Sequence, residues 1–182
     1  ASDFRSAVSS TVTSVRQHHL LSLPEIRRSQ RAAGFEADSS LGYNHGTAFR
    51  AGTARPFQLF DHDQGTPLDL WELPLIAMDS ALASDPGDAS AAETKLHHLI
   101  EVLAETQGVL TINWHPNFGA AMGSGAEHGL LYERLLEEVV ARRGAELWNQ
   151  GEFCRWWRAR AETRLETATV TETRFEAVLT CR

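Results

Sequence analysis

Short apolar segments alternate with amphipathic segments along residues 1–160 of this 182-residue chain, and few folds are compatible with such an alternation. The apolar runs at 70–78 and 109–114 are typical of strands that are covered on both faces of a parallel sheet. The segments at 91–106 and 130–143 place their apolar residues on one side at helical spacing. We therefore predict an α/β fold, with a parallel β/α layer built by right-handed crossovers.

Local composition predicts where the other elements lie. Helical spacing at 3–13 indicates a helix that leads into a β-rich first strand at 11–21, and Pro24 and Gly34 mark the start and end of the next helix. Glycines and prolines at 41–67 predict an extended loop with short strands. Further strands are predicted at 35–40 and 145–148, and a further helix at 151–160. These strands are too few to close a β/α barrel, so the sheet is either a smaller open one or part of a larger domain.

The last segment has a different pattern. Residues 163–179 alternate in polarity and are rich in Thr and Val, which predicts β structure. We place the main β/α domain at 1–162. Residues 163–182 are then an exit segment or the start of a further β domain.

Charge and composition exclude several classes of protein. The 17 basic and 24 acidic residues give a net charge of −7, which argues against a nucleic-acid-binding surface. No apolar run is long enough for a membrane span, and the first residues lack the apolar core of a signal peptide, which favours a soluble, cytoplasmic protein. Two cysteines without a CxxC pattern predict neither a disulfide framework nor a cysteine-type zinc site.

The candidate site follows from the fold, because the carboxyl ends of parallel strands meet at one edge of the sheet. The polar residues expected there are Arg16, His18, His19, Asp38, Arg50, Glu72, Asp79 and His115. His115 ends the strand at 109–114 and is either a general acid or a histidine that hydrogen-bonds a loop carbonyl. Arg50 lies among small residues, an arrangement that suits a guanidinium aimed at an anionic group or one that braces the loop.

Other candidate motifs are weaker. Adjacent strand residues point to opposite faces, so at most one of His18 and His19 is expected to face the site. One imidazole could ligate Zn²⁺, but one ligand is not a metal site. The glycine-rich stretch at 119–129 lacks the spacing of a phosphate-binding loop and is interpreted as a flexible loop.

Six segments taken in order resemble polysaccharide deacetylase-like proteins of the NodB-homology group. They are VRQHHLLS (15–22), AGFEADSSLGYN (33–44), FRAGTARPF (49–57), LWELPLIAMD (70–79), LTINWHP (110–116) and FCRWWRAR (153–160). The resemblance covers about residues 1–160 and corresponds to the downstream part of that family's domain. It implies a distorted β/α barrel and a metal-dependent hydrolase that removes acetyl groups from sugars.

The resemblance also implies roles for individual residues. Arg50 resembles the arginine of the family's third motif, and His115 resembles its late catalytic histidine, a general acid. Glu72 or Asp79 corresponds to the carboxylate that orients a partner. Trp114 and Tyr43, which lie within the matching motifs, are the expected substrate-contacting residues.

The family's early metal-binding aspartates have no counterpart here. His18, a candidate rim residue, is the one metal ligand that we name. A divalent metal such as zinc is therefore expected in the complete domain, and this chain is expected to bind it weakly or not at all. Two functions remain open. The first is carbohydrate deacetylation by metal-activated water, with the upstream part of the domain as a partner. The second is a non-catalytic, deacetylase-like module that binds carbohydrate or acts as a scaffold.

Overall fold

The computed structural model describes residues 12–82, 89–116 and 126–180. Its strands are β1 (Ser14–Val15), β2 (Ala37–Asp38), β3 (Phe57–Asp61), β4 (Thr66–Glu72), β5 (Ala77–Met78), β6 (Ile112–Asn113), β7 (Arg164–Val170) and β8 (Phe175–Thr180). Its α-helices are α1 (Pro24–Ala32), α2 (Asp79–Leu82), α3 (Ala89–Thr106), α4 (Ala126–Ala141) and α5 (Gln150–Glu162). Most of the helix predicted at 3–13 and of the loop predicted at 119–129 lies outside the described residues.

The sheet has parallel strands, which confirms the predicted α/β class. One sheet has the order β1-β2-β4-β3, with β1, β2 and β4 parallel and β3 antiparallel at the edge. A second, two-stranded sheet pairs β5 with β6 in parallel. The described residues form no closed barrel, and the single layer predicted from the sequence is divided between these two sheets.

The apolar run at 70–78 is two strands and not one. β4 ends at Glu72 and β5 begins at Ala77, because Pro74 has no N–H to donate to a continuous ladder. The break is bound to the preceding loop, since the N–H groups of Leu73 and Leu75 donate to the carbonyl oxygens of Asp38 and Leu41. The chain therefore steps from the first sheet to the second at this proline.

One other prediction needed correction, and the short strand expected within 41–67 is present. Residues 145–148 are not a strand; they form an irregular segment that leads to Asn149, whose side chain caps α5 by accepting the N–H of Glu152. The loop predicted at 41–67 includes β3, which pairs with β4 as a hairpin. Gly65 lies in the turn of this hairpin with φ of +67°, a conformation that residues with a Cβ rarely adopt.

Helices cover the sheets and form the core. α3 and α4 pack on β5 and β6 through a buried apolar cluster: Ala77, Leu82, Ala92, Leu96, Ile100, Leu131 and Leu135. α5 packs on the first sheet through Cys154, which contacts Ala37 and Leu73. Helices therefore pack on the parallel strands of both sheets.

The β structure predicted at the C-terminal end is an antiparallel hairpin of β7 and β8. Every residue of both strands is exposed. Within the described residues, no helix is both long and apolar enough to cross a lipid bilayer.

Candidate active site

The carboxyl ends of the parallel strands in the two sheets meet at a common edge, here called the rim. Arg16 directly follows β1, and its Nε donates to the carbonyl oxygen of Ser39, 3.0 Å away, just after β2. Its Nη1 donates to Oδ1 of Asn113, the last residue of β6, also at 3.0 Å. One guanidinium therefore joins the strand ends of both sheets.

At this rim, Asp79 and His115 form a carboxylate–imidazole pair. Asp79 follows β5 and begins α2, and its side chain is fully buried. Its Oδ1 lies 2.7 Å from Nδ1 of His115, and its Oδ2 accepts the backbone N–H of the same residue. The imidazole is thus fixed at both the ring and the backbone.

This geometry is suited to proton transfer. A carboxylate on Nδ1 favours the tautomer with a proton on that nitrogen and stabilises the positively charged imidazolium. The side chain of His115 is 41% exposed, so a substrate in solvent can reach the ring. Of the two carboxylates expected to orient a partner, Asp79 is the one that contacts His115.

Glu72, the other expected carboxylate, lies beneath the rim. It is at the same register position as Asp38 on the neighbouring strand, and both side chains are fully buried. Burial, and the nearby negative charge of Asp38, raise the pKa of Glu72 to about 8. Burial also raises the pKa of Asp38, although hydrogen bonds from Ser40 and Ser39 oppose that shift.

These two carboxyls hold the turn that follows β2. Oδ1 of Asp38 accepts the N–H of Ser39 and the hydroxyl of Ser40, and Oε1 of Glu72 accepts the N–H of Leu41. Arg16 also binds this turn, because its guanidinium donates to the carbonyl and hydroxyl oxygens of Ser39. Glu72 therefore supports the rim and is not placed to meet a substrate.

Arg50 has the role of a loop brace in this structure. Its Nη1 donates to the carbonyl oxygen of Gly42 at 2.9 Å. Of the described residues, Arg16 is the arginine bonded to the strand ends beside His115. Arg16 is partly buried, and this desolvation lowers its pKa, while the charges of Asp38 and Glu72 act in the opposite direction.

His18 and His19 do not lie on a strand, contrary to the prediction. They begin a 3-10 turn, His18–Leu20, in which His19 has φ of +57°. Their rings do not point to opposite faces but lie 4.0 Å apart, centroid to centroid.

The described residues of the rim do not provide a set of metal ligands. A catalytic zinc takes roughly three protein ligands. Among the described residues, the one cluster of three His, Cys, Asp or Glu side chains close enough to share an ion lies elsewhere, at His97, Glu101 and Glu138. The rim residues that are described therefore do not fit the metal that the family resemblance implies.

The His97 cluster joins α3 to α4 as an ion-pair network. Nδ1 of His97 lies 2.8 Å from Oε1 of Glu138, and Arg142 contacts the carboxylates of both Glu101 and Glu138. Because this guanidinium already offsets part of the negative charge of the two carboxylates, the network joins one helix to the other and attracts a cation less strongly.

The two expected substrate contacts differ in their surroundings. Trp114 is half-buried, packs against the apolar cluster under α3 and α4, and has Tyr132 at 5.1 Å between ring centroids. It therefore packs on the margin of the core, and its role as a substrate contact stays a prediction. Tyr43 is 45% exposed in the loop after β2, and its role as a substrate contact also stays a prediction.

Sequence reasoning named Arg16 and Asp38 at the rim but gave the main role to Arg50, and it missed Ser39 and Asn113. Each missed residue lies one position before the end of a predicted strand, at 35–40 and 109–114, which is the signal that could have identified it. Comparison with protein-family models, with curated proteins and with solved structures gives no match to this chain. Function is therefore inferred from the side chains at the rim.

Proposed function

We propose that this chain is part of a polysaccharide deacetylase-like hydrolase, which removes acetyl groups from a carbohydrate, and that His115 is its general acid. The observation that carries the proposal is the pair formed by buried Asp79 and accessible His115 at the carboxyl ends of the strands. The motifs that resemble the family support the choice of reaction and substrate. They also support our proposal that the parallel strands are part of a β/α barrel.

The proposed step for His115 is the protonation of the leaving group. As the bond between the acetyl carbon and the sugar nitrogen or oxygen breaks, Nε2 of the imidazolium gives its proton to the departing atom. The carboxylate of Asp79 keeps the ring oriented and balances its charge before transfer. Arg16 and Asn113 hold the strand ends in place, and Tyr43 offers an exposed ring to the sugar.

Activation of the attacking water is not assigned to the described residues, because the rim does not offer a set of metal ligands. This leaves the second function, a non-catalytic module that binds carbohydrate, as a specific alternative. The two functions differ in a measurable way, since binding alone releases no acetate and does not need His115 as an acid.

The test measures acetate release from a panel of N- and O-acetylated oligosaccharides by the protein encoded by the complete natural reading frame, with and without added Zn²⁺. We expect His115→Ala to lower the rate by about 100-fold or more, the usual contribution of a general acid. His98→Ala, an exposed histidine on α3, is the matched control and should retain the rate.

Acetate release that His115→Ala leaves unchanged would exclude His115 as the acid. If no oligosaccharide in the panel is deacetylated and some are bound equally by both variants, the chain is a binding module and the hydrolase proposal is wrong.

A further inference from the structure

Asp38 and Glu72 present an unusual arrangement of buried acids. They occupy the same register position on the parallel neighbours β2 and β4, so their side chains leave the same face of the sheet. Each has one satisfied oxygen, namely Oδ1 of Asp38 and Oε1 of Glu72, which accept hydrogen bonds from the turn at 39–41. The other two oxygens, Oδ2 and Oε2, are buried and have no hydrogen-bond partner within the described part of the chain.

We propose that Asp38 and Glu72 share one proton at neutral pH, and that the resulting hydrogen-bonded acid pair fixes the turn that positions Arg16. A single proton on Oε2 of Glu72, donated to Oδ2 of Asp38, satisfies both unpartnered oxygens at once. An ionised carboxylate only accepts hydrogen bonds, so two ionised groups could not satisfy each other in this way. Buried unsatisfied oxygens are costly, which gives the shared proton a direct structural benefit.

The charges around the pair favour a proton over a bound cation. The groups that act on Glu72 are Asp38 from β2, Arg16 from the end of β1 and Arg27 from α1. Two positive side chains therefore already face the two acids, and a metal ion would add further positive charge. Gln30, the buried residue of α1 near Asp38, is neutral and adds no charge to the pair.

The pair acts on the rim through a short chain of contacts. The N–H of Ser39 and the hydroxyl of Ser40 donate to Oδ1 of Asp38. The carbonyl and hydroxyl oxygens of Ser39 in turn accept hydrogen bonds from Nε and Nη2 of Arg16. Loss of the shared proton would place two negative charges side by side under this turn. Glu72 and Asp38 are thus positioning residues for Arg16, and this role does not depend on the proposed hydrolysis.

The first experiment measures how the unfolding constant depends on pH, which reports the proton that Glu72 releases on unfolding. Glu72 binds its proton in the folded protein up to pH about 8, whereas an unperturbed glutamate ionises near 4.5, so unfolding releases the proton between these values. The unfolding constant of the natural sequence, measured in urea, should therefore rise by about tenfold per pH unit across this window, relative to Glu72→Gln. Glu105→Gln on the exposed face of α3 is the control and should keep the slope.

A second measurement needs no variant. In the folded protein, the ¹³C carboxyl resonance of Glu72 should titrate near pH 8, and the Nε–H resonance of Arg16 should shift over the same range. A Glu72 carboxyl that titrates near pH 4.5 overturns the proposal even if Glu72→Gln does not fold. Equal pH slopes for Glu72→Gln and the natural sequence overturn it as well, and an Arg16 resonance that does not respond excludes the positioning role.

Discussion

The buried carboxylate of Asp79 serves two purposes at once, because it accepts from the backbone of His115 and also faces the ring of that residue. The backbone contact holds the end of β6 beside α2, and the ring contact sets the tautomer. An exposed carboxylate would have its charge screened by water, whereas this one interacts with the imidazole at close range in a poorly solvated position.

Replacing Asp79 tests the structural half of this description. Asp79→Ala removes the acceptor of a backbone N–H and of a ring nitrogen, and should lower the free energy of unfolding by about 1–3 kcal/mol. Urea denaturation followed by circular dichroism measures the change. Asp63→Ala, at an exposed carboxylate on the hairpin turn, should cost less than about 1 kcal/mol. Equal losses for the two variants would show that the Asp79 contacts do not stabilise the fold.

At the scale of elements, the helices are held to the sheets by one-sided apolar packing, and their exposed sides contribute little. Leu96 on α3 is 3% exposed and lies in the cluster over β5 and β6, whereas Leu130 on α4 is 54% exposed. Both are leucines within helices, so the helical propensities of the two sites are matched. The difference between them is burial.

We predict that Leu96→Ala lowers the free energy of unfolding by about 2–5 kcal/mol, because it removes buried methyl groups and leaves a cavity. Leu130→Ala should change it by less than about 0.5 kcal/mol. Denaturant unfolding of the two variants side by side measures the contrast. A loss at Leu130 as large as that at Leu96 would mean that the exposed side of α4 is covered in solution.

Elements were predictable from the sequence where a pattern is local. The periodic leucines of α3 and α4 and the apolar run of β4 and β5 identified those segments, although Pro74 divided the run. The sequence placed Asp79 and His115 at the same edge of the sheet but did not predict that they contact each other, since 36 residues separate them in sequence. The importance of Arg16 relative to Arg50 was not predictable, because the bond from Arg16 to Asn113 depends on how the two sheets meet. No local sequence pattern indicates that arrangement.

On the scale of the whole molecule, the β7–β8 hairpin differs from the rest. All its residues are exposed, including apolar ones such as Val170 and Phe175. A two-stranded hairpin with no buried face is marginally stable in water. Its backbone hydrogen bonds are thus expected to open far more often than those of the packed helices.

Hydrogen–deuterium exchange followed by mass spectrometry tests this expectation. Peptides from 164–180 should exchange within the earliest time points, while peptides covering 96–103 of α3 should be protected through global unfolding. Protection of the hairpin comparable to that of α3 would contradict the prediction, and would show that another surface covers the hairpin in solution.

The bond between Arg16 and Asn113 has a further consequence for how this protein is made. It joins residues 97 positions apart, so the rim cannot form until most of the chain is available. Closing so long a loop costs more conformational entropy than forming the β3–β4 hairpin or a single helix, and it is therefore slower. On a ribosome, the first helix and the β3–β4 hairpin can therefore form as they emerge, whereas the Asp79–His115 pair and the bond from Arg16 to Asn113 form only after β6 has been synthesised. Partly made chains that lack β6 consequently have secondary structure but no Asp79–His115 pair.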